Sequence, residues 1–340
     1  MKSERSFLVA LAAGTVMVLG LSNPSSAIIG ADGYSYTQPA AELVMPFDAR
    51  DGRETFLLVS NIAGVSTKVG GTAAAVSTHW TFWSDTCNEL ANYNICLTLN
   101  DTVVVDPRDM QAIDKNNNRL GPLIDLSGNF GVVTITAYET NNDCAEFRLT
   151  GAILKDDSIV GAFTMAFPGA NYAFGNDALG LGTNNPLNPT RVVLPPPADL
   201  AVSRFDIQIF NPNTLDVSAV FLSHLREQSV GQVEPSNAPL RFFTHFIDNL
   251  EVPTSLPDTR VGCVLATDIQ PGLIPNTVTI DSSGIIRLQP ASGLGANDYL
   301  YGVVGEAIGP FGASSSVKAQ YVGGGSASKA FLEPISQLVD

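Results

Sequence analysis

The stretch VSTHWTFWS, residues 76–84, alternates without a break. Val76, Thr78, Trp80 and Phe82 fall on one face of an extended chain, and Ser77, His79, Thr81 and Trp83 on the other. Successive side chains of a β-strand point to opposite faces, so a period of two marks a strand, whereas a helix repeats every 3.6 residues. Strand patterns recur in ETFLLVSN, ICLTLNDTVVV, GVVTITAY, SIVGAFTMAF, FDIQIFN, VSAVFL, LRFFTHFI, TVTID, IIRLQ and YLYGVVGEAI. The gaps between them hold Gly, Pro, Asn or Asp, the residues that turns require. No long segment sustains helical spacing. Many short strands joined by tight turns predict an all-β chain of sandwich or barrel architecture, and antiparallel β-sandwiches are the expected form.

The chain opens MKSERSFLVALAAGTVMVLGLSNPSSA. Lys2 and Arg5 precede an apolar run over residues 7–21. Small residues follow, with Ser25 and Ala27 placed as in a cleavage site. This pattern reads as a secretory signal peptide, because the apolar run is shorter than the ~20 residues a spanning helix needs. No later segment reads as a transmembrane helix. The remaining roughly 310 residues suggest two domains. A composition break lies in GLGTNNPLNPTRVVLPPPADL, where Pro186, Pro189 and Pro195, Pro196 and Pro197 oppose both helix and ladder. The expected organisation is a signal peptide at 1–27, a first sandwich at 28–180, a Pro-rich linker or strand-edge crossing at 181–200, and a second sandwich at 201–340. An internal echo fits this division: RETFLLVSN leads by a turn to AAVSTHWTFW, and SRFDIQIFN leads by a turn to VSAVFL, with Asn61 and Asn211 in matching places.

Net charge excludes some partners. The chain carries −15, and removal of Lys2, Glu4 and Arg5 leaves −16. Nucleic acid and anionic lipid surfaces both require clustered Lys and Arg, so neither is expected. Hydrophobic residues make up 45% of the chain, enough to build cores and inconsistent with disorder.

RFDIQIFNPNTLDVSAVFL resembles the early hairpin of immunoglobulin-like and related β-sandwich modules of bacterial surface proteins. MPFDARDGRETFLLVSNIAG and FIDNLEVPTSLPDTRVGC resemble uncharacterised secreted bacterial proteins built on such modules. The resemblance implies export and an immunoglobulin-like sandwich, and it carries over no catalytic residue.

Four cysteines, Cys87, Cys96, Cys144 and Cys263, suggest disulfides in an exported chain. A hairpin bridge Cys87–Cys96 across NELANYNI is the favoured pairing. Cys144 is the rival partner for either, and Cys144 and Cys263 would otherwise form an interdomain bridge or stay free. DKNNNRLGPLID, residues 114–125, places Asp114, Asn116, Asn118 and Asp125 where a calcium loop has oxygen ligands. Arg119 stands where that loop needs Gly, so a polar turn is the preferred reading and calcium ligation by these four the rival. DARDGRE and VDPRD read as charged turns. Trp80, Phe82, Trp83 and Tyr93 form the richest aromatic group. Alternation sends Trp80 and Trp83 to opposite faces, making Trp83 the candidate for stacking on a glycan.

Catalytic signatures are sparse. The chain has no GxSxG and no HExxH, and SASK at 326–329 lacks the partner motifs of an SxxK nucleophile. Thirty-three acidic residues offer many carboxylate pairs, but nothing selects one. No cofactor is called for. The expected function is an exported, non-enzymatic β-sandwich protein with a structural or adhesive role at the cell surface or outside it, or in the periplasm. Its partners would be surface polymers or other surface proteins. The alternatives are a glycan-binding module and an extracellular polymer hydrolase.

Overall fold

The computed structural model describes residues 40–62, 75–140, 154–155, 158–166, 173–177, 179–181, 192–193, 203–216, 218–229, 232–291, 298–308, 311–316 and 318–321. Residues 1–27, Cys144 and most of 181–200 lie outside them. Almost all regular structure is β, apart from one turn of 3-10 helix at Pro212–Thr214 and one of π-helix at Ile269–Leu273.

Two sheets are drawn from the first half. The larger runs β11 (Leu179–Leu181), β1 (Glu42–Asp48), β8 (Phe130–Glu139), β3 (Val76–Ser84), β4 (Glu89–Leu97), β6 (Met110–Ile113), β7 (Arg119–Ile124). The smaller runs β10 (Ala173–Asp177), β9 (Ile159–Ala166), β2 (Glu54–Asn61), β5 (Thr102–Val105). Pairing is antiparallel except for the short β4–β6 contact. The two sheets face each other. Leu57 and Val59 of β2 pair with Val105 and Val103 of β5 and point inward with Phe163 of β9. Opposite them, Trp80 and Phe82 stack with Tyr93 at 6.0–6.1 Å between centroids, and Phe47 meets Phe82 edge-on at 5.2 Å. The alternation of VSTHWTFWS is therefore real, with Trp80 and Phe82 fully buried.

The second half repeats the plan. One sheet runs β12 (Val192–Val193), β20 (Asp298–Ile308), β14 (Ala219–Ser229), β15 (Gln232–Pro235), with β18 (Val264–Asp268) also on β14 and β21 (Phe311–Ser316) on β20. The other runs β17 (Pro253–Val261), β16 (Leu240–Asp248), β19 (Gly284–Pro290), β13 (Ser203–Ile209), β22 (Lys318–Tyr321). No described strand pair joins the halves. In both, the echoed hairpin crosses between sheets, from β2 to β3 and from β13 to β14. The two asparagines differ in role. Asn61 is buried and donates to the carbonyls of Leu97 and Thr98, whereas Asn211 accepts from the Asn213 N–H at the 3-10 turn.

The halves nonetheless share a core, and Gln38–Asp340 forms one unit. Val220 and Leu222 of β14 point into the second sandwich with Phe242, Phe246 and Ile286. Phe221 and Leu225, one residue out of phase, point into the cluster of the first half, joined by Val233, Val264, Tyr301 and Val303. They cover the outer face of the seven-stranded sheet, where Thr134 and Thr136 are buried.

One hairpin turn is used three times. Ser84, Asp114 and Asp248 each begin a five-residue loop, and the side-chain oxygen accepts the N–H groups two and four residues on, at 2.8–3.2 Å. The fourth residue is left-handed in each: Cys87 at φ 64°, Asn117 at 65° and Glu251 at 64°. Such a turn followed by a left-handed residue suits the twist of a hairpin.

Gly131 marks a close backbone approach. A Cβ there would collide with the Trp83 carbonyl and press on the Phe47 ring at 3.1 Å. Gly131→Ala is expected to lower the unfolding free energy by about 1–3 kcal/mol, read as a lower urea midpoint at unchanged slope.

Candidate functional site

The densest polar chemistry lies where the two halves meet. Asp48 ends β1 with its side chain 1% exposed. The loop that follows is the DARDGRE segment, whose turn is closed by Gly52 at φ 75°. It folds back so that Thr55 accepts from the Asp48 N–H at 2.9 Å and donates to the Asp48 carbonyl at 3.0 Å. This return brings both arginines of the loop onto one carboxylate. Arg50 donates through Nε and Nη2 to the two Asp48 oxygens at 2.9 and 2.6 Å, and Arg53 adds Nη1 at 3.1 Å. Arg53 also reaches Asp268 of β18 at 3.4 Å, which ties the loop to the second half. The Arg50 guanidinium lies 4.0 Å from the centre of the Phe130 ring. Its hydrogen bond to Asp48 holds it above its ordinary pKa.

The VDPRD turn joins this network. Arg108 pairs with Asp106 at 3.2 Å and with Glu54 at 3.5 Å. A second link crosses the same seam, where buried Glu42 of β1 accepts the Val233 N–H of β15 at 3.1 and 3.3 Å. A carboxylate out of water needs such partners, and here the Val233 N–H supplies one from the other half of the chain.

The third link is covalent. Cys87 is bonded to Cys263 with Cα atoms 5.4 Å apart, and Cys96 is also in a disulfide. This corrects the expected Cys87–Cys96 bridge. NELANYNI is mostly strand, not loop: Glu89 sits opposite Trp83 and Cys96 opposite Ser77. Seven extended residues span about 23 Å at ~3.3 Å each, whereas a disulfide needs Cα atoms within about 7 Å. Cys87, in the left-handed position of its turn, instead meets the bend between β17 and β18.

The four calcium candidates do not converge. Asp114, Asn116 and Asn118 share one turn, in which Asp114 accepts from both N–H groups and from the Asn118 carboxamide at 2.9 Å. Asp125 lies beyond β7, at the far end of the β6–β7 hairpin, and accepts from Ser127 at 2.6 and 2.8 Å. These bonds hold both carboxyls below the ordinary carboxylate range, Asp114 chiefly through the Asn118 carboxamide and Asp125 chiefly through the Ser127 hydroxyl. Their support for the turns is therefore present at neutral pH and fades as acid takes pH down through those lowered values.

Trp83 is half-buried. Its indole N–H donates to Thr134 at 3.1 Å, and its ring packs against the core shared by both halves. His79 hydrogen-bonds Asn94 at 2.9 Å on the same face.

Comparison with protein-family models, curated proteins and solved structures found no match to this chain.

Removing Asp48 would leave two guanidinium groups facing one another without their shared anion. Asp48→Ala is expected to destabilise by about 3 kcal/mol, measured by urea unfolding, and Arg53→Ala by less, because Arg50 keeps its pair. Millimolar calcium is expected to leave the melting temperature unchanged, since Asp114 and Asp125 are held apart by β7. A rise of several degrees that Asp114→Ala abolishes would refute this.

Proposed function

We propose that this chain is an exported, non-enzymatic β-sandwich protein with a structural or adhesive role at the cell surface or in the extracellular space. The observation that carries the reading is the Cys87–Cys263 disulfide across the seam between the halves. Disulfides persist in oxidising compartments, and Cys87, Cys96 and Cys263 are all bonded. The bridge joins residues 176 apart in sequence, which on loop-closure entropy alone is worth about 5 kcal/mol. With the Asp48 network and the Glu42 contact it makes two sandwiches into one stiff body, as suits a part that bears load or presents a surface.

The N-terminal segment supports export: a charged start, a short apolar run and small residues up to Ala27. The likeness to secreted immunoglobulin-like modules points the same way. Of the buried carboxylates, Asp48 is paired with Arg50 and Arg53 of its own loop and Glu42 accepts across the seam, and neither supports the hydrolase alternative.

Cell fractionation with surface proteolysis tests the address, and N-terminal sequencing of the mature protein is expected to begin at Ile28. A non-reducing peptide map should contain the Cys87–Cys263 pair. An intact Met1 on a cytoplasmic protein with reduced thiols would overturn the proposal.

A further inference from the structure

Among the described residues, seven large apolar side chains stand well out into water, and four of the seven fall at two places. Leu120 and Leu123 lie on β7, 50% and 61% exposed, and Leu250 and Val252 lie at the tip of the β16–β17 hairpin, 77% and 54% exposed. Scattered apolar residues on a surface are ordinary, but paired ones beside a charge point to a contact. β7 ends the seven-stranded sheet and pairs with β6. The register runs from Ala112 opposite Leu120 to Met110 opposite Ile124, so residues 121–123 face the single residue Gln111 and bulge from the edge. Gly121 at φ 75° makes the bend, and the Gln111 carboxamide donates to its carbonyl. The bulge and Pro122 blunt this edge against strand pairing. What it offers a partner is therefore side chains: Arg119, Leu120 and Leu123.

The tip is fixed by the third copy of the repeated hairpin turn. Asp248 Oδ1 accepts the N–H groups of Leu250 and Val252 at 2.9 and 2.8 Å, and Glu251 between them is held at φ 64°. Leu250, Glu251 and Val252 thus stand on a backbone that their own loop defines. Arg119 and Glu251 are both exposed, and neither side chain makes a hydrogen bond or ion pair among the described residues.

We infer that the β16–β17 tip of one copy of this chain docks on the β7 bulge of a second copy, with Leu250 and Val252 against Leu120 and Leu123 and Glu251 paired to Arg119. The two patches match in both respects that matter. Each is an apolar pair beside one unpartnered charge, and the charges are of opposite sign. Charge also argues for this register over others. The chain has 33 acidic residues against 18 Lys and Arg, so most ways of bringing two copies together set acid against acid. An exposed arginine without an acid partner is where an acidic tip is accepted, and such complementarity fixes register more than it adds affinity. The rigid turn lowers the cost of ordering the tip on binding. The contact joins unlike patches, so copies close as a reciprocal pair or a ring, or run on as a line. It is small, and association at about 10–100 μM is expected of an interface of this class. The inference rests on the structural reading, to which it gives a partner, yet self-association of the purified chain is measured apart from export.

The test is sedimentation equilibrium of the purified, oxidised chain from micromolar to millimolar concentration at physiological salt. The average mass is expected to rise above that of the monomer. Arg119→Glu and Glu251→Arg should each weaken association at least tenfold at unchanged melting temperature. Mixing these two variants should restore it, because each then meets a partner of opposite charge at both patches. Leu123→Ser and Leu250→Ser keep every charge and should weaken association as well. A monomer at every concentration would overturn the inference while leaving the export and disulfide results, and with them the structural reading, untouched. Association that all four substitutions leave unchanged would overturn it by placing the contact on another face. Failure of the mixture to associate would overturn the pairing of Arg119 with Glu251.

Discussion

Strand Ala219–Ser229 has no face to give to water over its first seven residues, and the arrangement of the molecule depends on that. Val220 and Leu222 are committed to the second sandwich, and Phe221 and Leu225 to the first. Burying a large apolar side chain is worth roughly 1.5–3 kcal/mol, so leaving either set exposed would be severe. The strand can satisfy both only if the second half sits against the outer face of the seven-stranded sheet. An ordinary sandwich strand alternates between core and solvent. This one alternates between two cores, and that is how the two halves become one compact unit.

The polar contacts at the seam have a different task. Buried ion pairs add little net stability, because desolvation offsets most of their attraction, but they penalise any arrangement that leaves them unpaired. Arg53 with Asp268 and Glu42 with the Val233 N–H each fit one placement of the halves, and Asp48 holds Arg53 in position for the first of them. Apolar burial drives the halves together, these contacts select the orientation, and the Cys87–Cys263 bond then fixes it. The ordering is physical: non-directional forces act over area, and directional ones choose among the close-packed solutions.

Much of the β architecture was legible, because strand alternation is a local property. VSTHWTFWS, ETFLLVSN and GVVTITAY each state their period within one strand. What could not be read depends on pairs far apart in sequence. NELANYNI looks like a polar loop because Asn92 and Asn94 fall on its outer face, and that misreading led to the wrong partner for Cys87. Asp114, Asn116 and Asn118 fit both a turn and a calcium loop in one dimension, with Arg119 favouring the turn. The place of Asp125 beyond β7 keeps the four from converging. Glu42 and Asp48 gave no sign of burial, since their partners lie across the seam or emerge only when the loop closes.

The two surfaces that meet at the seam differ in degree. The first half sets Ser77, Thr81, Thr134 and Thr136 among Val44, Val132 and Trp83, while the second contributes Phe221, Leu225, Tyr301 and Val303 beside Ser223. A chain emerges N-terminus first, and its domains generally fold as they appear. The half that must wait alone in water is the one whose waiting surface is rich in hydroxyl groups. The greasier surface arrives last, when its cover is already built. The asymmetry of the seam thus matches the direction of synthesis, and the more apolar face is made only after the surface that covers it.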